Sequence, residues 1–338
     1  MNKVCICGGG ALGMAMAAVI ACREDCKVAL LTGHPDSWSG CIIAYFVHSR
    51  TTIEADIQVS NKAADLVPDS DIILLCVPGF LIEPILHKIS PYLTEQAIGS
   101  VVSSTGFFQV AHRVLGEKAH LFGFRRVPYI ARVGQYGKSV DILGSKNELH
   151  IATENLPATF CSLWAKWLNT QVVRLNNWLE AALSNSNPIL HPSRLYGLWH
   201  DWNSNIVYPE QKYFYRDWDN LSSEIYISCD KELSCLCSKL GVTMPSVLEY
   251  YESTDAVSLT RKLQSIEAFR TIKAPMKAAE NGWIPDFSHR YFQEDFPFGL
   301  QLIKDLSLEN NIPTPTIDIV LEWGNKKISE CGLNFQNI

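Results

Sequence analysis

Between residues 4 and 31 the chain carries a pattern that very few folds satisfy. Val4-Cys5-Ile6-Cys7 is a short apolar run of the kind that forms a strand buried on both faces. It stops at Gly8-Gly9-Gly10-Ala11-Leu12-Gly13, which fits G-x-G-x-x-G. Met14 to Ala21, rich in Ala and Met, reads as a helix, and Lys27-Val28-Ala29-Leu30-Leu31 as the next strand. A strand, glycine turn, helix and strand in this order form the dinucleotide-binding start of a doubly wound parallel sheet. Gly8 allows the tight turn, Gly10 lets the main chain approach a pyrophosphate, and Gly13 lets the helix pack closely on the strand. Ala11 and Leu12 open the helix whose N–H groups face the anion.

The alternation of strand and helix continues beyond this unit. Residues 71–78 form an apolar strand running into Pro78, residues 80–89 have helical spacing, and residues 98–103 form a strand ending at Ser104-Thr105-Gly106. Further strands are expected over 127–133, 139–143 and 149–153, and a helix over 157–168. Ligands of such sheets lie beyond the carboxyl ends of the strands, which makes Pro78 and Thr105 candidates to lie near a nicotinamide, with plain turn chemistry as the alternative for either. The second strand ends Leu31-Thr32-Gly33-His34-Pro35, with no Asp or Glu to accept from a ribose 2′-hydroxyl. This favours NADP over NAD, with Thr32 and His34 as cofactor-binding candidates and His34 or Arg50 as the residue that would meet a 2′-phosphate.

Composition narrows the remaining classes. The 338 residues carry 29 Lys+Arg against 35 Asp+Glu, a net charge of −6, with no basic run that would grip nucleic acid. No apolar run is long enough to span a bilayer. Eleven scattered cysteines, an odd number with no Cys-x-x-Cys, fit free thiols in a reducing cytoplasm and neither a disulfide framework nor a metal site. No pattern in the chain speaks to oligomeric state.

After residue 174 the character changes to longer helical patterns and more aromatics, so the chain divides into a nucleotide-binding domain, 1–174, and a mainly helical domain, 175–338. Two strings in the second half stand out. In Asn187-Pro188-Ile189-Leu190-His191-Pro192 a histidine sits in a short apolar turn fixed by proline on both sides. In residues 286–300, Arg290 and Asp295 lie among aromatics ahead of Pro297, in a spacing that an ion-pair cluster capping a helix would also produce. Trp199, Trp202, Tyr208, Trp218 and Trp283 are candidates for core or for a pocket wall, and residues 203–219 for a lid.

Three segments, Gly8–Gly13, Asn187–Pro192 and Arg290–Leu300, in this order and at these separations, resemble the opine dehydrogenases of the octopine/nopaline dehydrogenase family, with Val127-Pro128-Tyr129-Ile130-Ala131-Arg132 as a weaker fourth match. The resemblance spans nearly the whole chain. It implies a Rossmann-type domain followed by a helical opine dehydrogenase domain of the 6-phosphogluconate-dehydrogenase C-terminal type. It also implies an NAD(P)H-dependent reductive condensation of an amino acid with a 2-oxo acid, of pyruvate or 2-oxoglutarate type, through an imine. On that resemblance His191 is the catalytic histidine, Asp295 its partner, and Arg290 a substrate-binding arginine. A 2-hydroxy-acid or ketopantoate-type dehydrogenase built on the same plan, and a nicotinamide-binding sensor without turnover, are the alternative readings.

Overall fold

The computed structural model describes residues 1–332, and of Thr105 only the main chain. The expectation for the Thr105 side chain therefore falls outside the described residues. The chain forms two compact units, Met1–Asn185 and Ser186–Ile338.

The first unit contains β1 (Asn2–Cys7), α1 (Ala11–Ala21), β2 (Cys26–Leu31), β3 (Cys41–Phe46), β4 (Thr51–Asp56), β5 (Gln58–Ser60) and α2 (Ala63–Leu66). It continues with β6 (Ile72–Leu75), α3 (Ile82–Ile89), β7 (Ala97–Ser100), α4 (Phe107–Leu115), β8 (Leu121–Phe124), β9 (Tyr129–Gln135) and β10 (Ser139–Ser145). It ends with β11 (Glu148–Glu154), α5 (Thr159–Leu168), β12 (Gln171–Arg174) and α6 (Trp178–Leu183). Eight strands form one sheet in the order β12-β11-β8-β7-β6-β1-β2-β5. Among the described residues its only antiparallel pair is β8 with β11. From β1 the chain goes to β2 on one side and later to β6 on the other, so the carboxyl end of β1 is the topological switch point.

The strands alternate between two cores. Val4 and Ile6 of β1, with Ile72 and Leu74 of β6, face α1 and α5, where Trp164 and Trp167 are fully buried. Cys5 and Cys7, with Ile73 and Leu75, face the other core with Leu86 of α3 and Phe107 and Phe108 of α4. Burial on both faces is why these strands are uninterrupted apolar runs. Leu175 and Ala181 also belong to this second core, so residues 175–185 pack with the first unit.

The strands expected over 127–133 and 139–143 form at 129–135 and 139–145, and they join β3 and β4 in a second sheet ordered β4-β3-β10-β9. Ile42, Ala44, Val140 and Ile142 from that sheet share the core of α1. Helix α1 is thus covered by a sheet on each side, and Gly13 to Ile20 are all buried. Small and flexible residues, Ala and Met, satisfy such a space where an amphipathic helix would not.

The second unit is built from α7 (Asn187–Trp199), α8 (Asn220–Lys239), α9 (Val247–Tyr250), α10 (Ala256–Ser265), the hairpin β13 (Met276–Ala279) and β14 (Gly282–Pro285), α11 (Arg290–Asp295), α12 (Gln301–Glu309) and α13 (Pro315–Glu330). Phe296–Leu300 form a π-helical turn that joins α11 to α12. Pro297 has no N–H to give, and a wider turn absorbs a missing donor with little strain. Glycines permit close crossings around α7. A Cβ on Gly197 would strike Ser222 of α8, and one on Gly299 would lie 2.9 Å from Cβ of Pro188. The π turn can therefore lie directly on the first turn of α7.

The segment around His191 is not the turn expected from its two prolines. Pro188 occupies the first helical turn, where no N–H is needed, and Pro192 lies inside α7. Leu190 N–H bonds to the Ser186 carbonyl at 2.8 Å, so the helix begins immediately ahead of the prolines.

Replacing Gly299 by Ala forces a methyl into Pro188, and we expect a loss of about 1–3 kcal/mol of stability, the usual range for overpacking. Urea denaturation checks this; an unchanged midpoint would show that the crossing can relax.

Candidate active site

Two sets of residues carry chemistry, one in each unit. In the first unit the glycine turn lies at the switch point. Gly8 has φ +115°, and a Cβ there would lie 2.6 Å from the Cys76 carbonyl oxygen. A Cβ on Gly13 would run into the Gly8 carbonyl, so helix and turn touch main chain to main chain. Gly10, by contrast, has open space where a side chain would be. Gly10 is the N-cap of α1, with no side-chain cap and no acid in the first turn. The first intrahelical bond is made by Met14 N–H to Gly10 O at 2.9 Å. The N–H groups of Ala11, Leu12 and Gly13 are left as a cradle for an anion. Pro78 lies just beyond β6, in the segment whose Val77 side chain borders Gly8. The residues present fit a dinucleotide.

The loop after β2 keeps Thr32 buried and His34 exposed. Arg50 is elsewhere. Cys41 pairs with Asp56 and Phe46 with Thr51, so Arg50 sits in the far turn of the β3–β4 hairpin, roughly 20 Å along the strands. Two aromatics that the sequence did not single out approach the glycine turn. A Cβ on Gly9 would lie 2.6 Å from the Trp38 ring and 3.2 Å from the Tyr136 hydroxyl, and Tyr136 lies 3.4 Å from Thr32 Oγ1. Tyr136 comes from the β9–β10 hairpin, so only the second sheet brings it here.

Burial disfavours the thiolate at two cysteines of this unit. Burial pushes the Cys26 thiol up to about 12, and burial also raises Cys76. All eleven cysteines stand as free thiols. Cys5 and Cys7 fill strand positions as small hydrophobes.

In the second unit, His191 Nδ1–H donates to Asp295 Oδ2 at 2.8 Å, across 104 residues of sequence. Both side chains are largely buried. Because Nδ1 carries the proton shared with Asp295, Nε2 is the nitrogen left for proton transfer. The imidazole stacks on Tyr291, with ring centroids 4.1 Å apart and planes 21° apart, and meets Phe214 edge-on at 5.6 Å. Arg290, exposed at the first position of α11, places its guanidinium 5.6 Å from the Tyr291 ring centre. His191, Tyr291, Arg290 and Asp295 therefore share one neighbourhood.

Neighbours hold this arrangement. His289 caps α11 by accepting from Tyr291 N–H at 3.3 Å, and burial, together with the Arg290 charge, lowers its pKa, which favours the neutral ring that can accept. Arg194, on α7 below His191, is fully buried. It donates to the Phe214 carbonyl at 2.8 Å, to Asp219 Oδ2 at 2.6 Å and to Ser222 Oγ at 3.0 Å. Burial disfavours the Arg194 charge and lowers its pKa, against the pull of Asp219. This arginine ties residues 214–219 to α7 and sets Phe214 against the imidazole. That half of the segment expected to be a lid is consequently core: Phe214, Tyr215 and Trp218 are buried, as is Trp199. Spacing alone carried a hint of Arg194, three residues after His191 on one helix, but nothing in it showed the buried partners.

Comparison with known proteins agrees with this geometry. The family model described as NAD/NADP octopine/nopaline dehydrogenase, alpha-helical domain, matches residues 174–328. An octopine dehydrogenase of Mizuhopecten yessoensis is 25% identical, over 97% of this chain and 90% of its own. A tauropine dehydrogenase of Arabella iricolor is 26% identical, over 96% of this chain and 91% of its own. The solved structure of an octopine dehydrogenase with NADH and L-arginine superposes with a TM-score of 0.87 at 22% identity, covering 97% of this chain and 90% of that one. Among the described residues no helix is long and apolar enough to cross a membrane. The glycine turn lies on a doubly wound sheet and His191 pairs with Asp295 in a helical unit; residues 174–328 match the alpha-helical domain of the octopine/nopaline dehydrogenases, and nearly the whole chain is similar to opine dehydrogenases in sequence and fold.

Proposed function

We propose that this protein joins an amino acid to a 2-oxo acid by reductive condensation, giving a secondary-amine dicarboxylate. The observation that carries the reading is the 2.8 Å bond from His191 Nδ1 to Asp295, buried beside an exposed arginine. Reducing a C=N bond needs a proton donor near neutrality, and an imidazole with one nitrogen fixed by a carboxylate provides it at the other. Asp295 sets the tautomer and stabilises the imidazolium. Tyr291 holds the ring plane, and Arg290 offers a planar fork for one substrate carboxylate. The bound nicotinamide cofactor supplies the hydride, and Gly8, Gly10 and Gly13, with the N–H groups of Ala11 and Leu12, hold its pyrophosphate. Pyruvate is the type of oxo acid we favour, since an octopine dehydrogenase of the same fold has been solved with NADH and pyruvate. The cofactor we favour is NADP, because none of residues 32–35 directly after β2 is an acid and His34 is exposed there.

The direct assay follows cofactor absorbance with protein, NAD(P)H, a 2-oxo acid and a mixture of amino acids. Loss of signal only when both substrates are present is the expected outcome. Loss with the oxo acid alone would mean a 2-hydroxy-acid or ketopantoate-type dehydrogenase, and binding without loss a sensor.

His191→Ala is expected to lower turnover by about 10²–10⁴ with cofactor affinity retained, and Asp295→Asn to lower it while leaving the fold intact. Wild-type rates in either variant would remove that residue from the chemistry. Arg290→Lys should raise the KM of one substrate with kcat little changed, because a point charge replaces a bidentate fork; equal KM values would place Arg290 outside the substrate site. For cofactor choice, NADPH should bind at least about tenfold more tightly than NADH, and His34→Ala should erase most of that ratio. Tighter NADH binding by the unaltered protein would reverse the assignment.

A further inference from the structure

The turn after β1 holds one glycine more than G-x-G-x-x-G asks for. Gly9 occupies a variable position of that pattern, yet a Cβ there would lie 2.6 Å from the Trp38 ring, 3.1 Å from Thr32 Oγ1 and 3.2 Å from the Tyr136 hydroxyl. We propose that Tyr136, brought in by the second sheet, belongs to the cofactor site and with Thr32 receives the 2′-substituent of the adenosine ribose. On the cofactor reading above, on which this rests, that substituent is a 2′-phosphate.

Thr32 stands where such contacts are made. In a dinucleotide-binding unit the residue about twenty positions after the last glycine of the turn, at the end of the second strand, meets the ribose 2′ position. Thr32 directly follows β2, and its N–H still bonds to the Ser60 carbonyl of the neighbouring β5 at 3.0 Å, so its main chain is held in line with the sheet. A threonine here replaces the carboxylate that would accept from a 2′-hydroxyl. Its Oγ1 lies 3.4 Å from the Tyr136 hydroxyl and accepts from His34 N–H at 3.5 Å. Both contacts are at the long end for hydrogen bonds, so neither hydroxyl is spent on the other.

A second glycine delivers Tyr136. Gly137 is buried with φ +73°, and a Cβ on it would run into the Ser37 carbonyl oxygen. A glycine is what lets the tip of the β9–β10 hairpin lie main chain on main chain against the loop after β2. The tip is fixed from behind as well: Lys138 N–H bonds to the Gln135 carbonyl at 3.0 Å, and Ile43 N–H of β3 to the Lys138 carbonyl at 2.9 Å. The Tyr136 ring meets Trp38 edge-on, with centroids 5.6 Å apart. Packing is thus the work of Gly137, the main chain and the ring. None of it uses the phenolic hydroxyl, and Tyr136 keeps 38% of its surface exposed.

The chemistry suits a phosphate. A phenol and a threonine hydroxyl each offer a proton to an anion, whereas a carboxylate in the place of Thr32 would repel it. Two neutral donors on different sheets also hold the phosphate without a buried charge that would need a partner when the site is empty.

The test uses the full chain with no amino acid or oxo acid present. Three adenosine fragments, 2′,5′-ADP, 5′-AMP and 2′-deoxy-5′-AMP, displace NADPH or NADH, whichever binds more tightly, and nucleotide fluorescence reports the displacement. Tyr136→Phe should weaken 2′,5′-ADP roughly 10- to 100-fold, the range for hydrogen bonds to charged groups, and change 2′-deoxy-5′-AMP by no more than about twofold. Thr32→Val should show the same selectivity, and the melting temperature of Tyr136→Phe should not move, because the ring contact is kept. A loss for 5′-AMP with 2′,5′-ADP unchanged would leave Tyr136 at the ribose and reverse the choice of NADP. Equal losses for all three fragments, or unchanged affinity for all three in Tyr136→Phe, would overturn the proposal while the dinucleotide reading stands. A lower melting temperature without selectivity among fragments would overturn it too, by making Tyr136 a packing residue. An unaltered protein that binds neither nucleotide would sink the dinucleotide reading and this subsite together. Selective fragment binding without turnover for any pair of substrates would sink only the condensation reading.

Discussion

The hydrogen bond from His191 to Asp295 depends on two helices approaching more closely than ordinary side chains allow. His191 sits near the start of α7 and Asp295 at the end of α11, 104 residues later. They meet because the π turn after Asp295 carries Gly299 against Pro188, where even a methyl would clash. The two prolines, the glycine and the wide turn around Pro297 are one device. Each removes an N–H or a Cβ that would hold the elements apart. From that approach follow the stack of Tyr291 on the imidazole, the place of Arg290 one residue before it, and the use of buried Arg194 to press Phe214 against the ring.

The first unit solves a related problem in another way. Its α1 must begin at the switch point with its N–H groups uncovered, and yet be buried over nearly its whole length. Glycines at 8 and 13 bring helix and strand into main-chain contact, and a second sheet closes over the opposite side of the helix. The helix pays no penalty for lacking a polar face, since it has no exposed one to fill. That second sheet also delivers Tyr136 to Thr32 and to the glycine turn, so a structural necessity and a ligand-facing surface arise from the same strands.

Much of this was legible in the chain because it is local. An apolar run stopping at three glycines before an Ala-rich stretch can be read directly, since strand burial, turn conformation and helix propensity act over a few residues. The strings around His191 and Asp295 were legible as strings, but their geometry was not. The prolines beside His191 suggested a turn, whereas the first turn of a helix tolerates Pro188 and the helix also accommodates Pro192. Strands β9 and β10 were legible as strands but not as members of a second sheet, because periodicity shows that a segment is a strand and not which partner it takes. Arg50 followed the second strand closely enough to be a cofactor contact, until the hairpin register sent it to the far turn.

By itself, the sequence determined the nucleotide-binding turn, the order of sheet and helical halves, and the identities of a histidine, an aspartate and an arginine able to do acid–base and anion chemistry. Those depend on residue type and on spacing within a dozen positions. Tertiary structure alone decided that Nδ1 of His191 is the nitrogen bound to Asp295, that Arg194 is buried scaffolding, and that Tyr136 meets Thr32 at the end of β2. Such pairings join residues that no period relates. They arise because buried polar groups must find partners wherever packing places them, and only the assembled core says where that is.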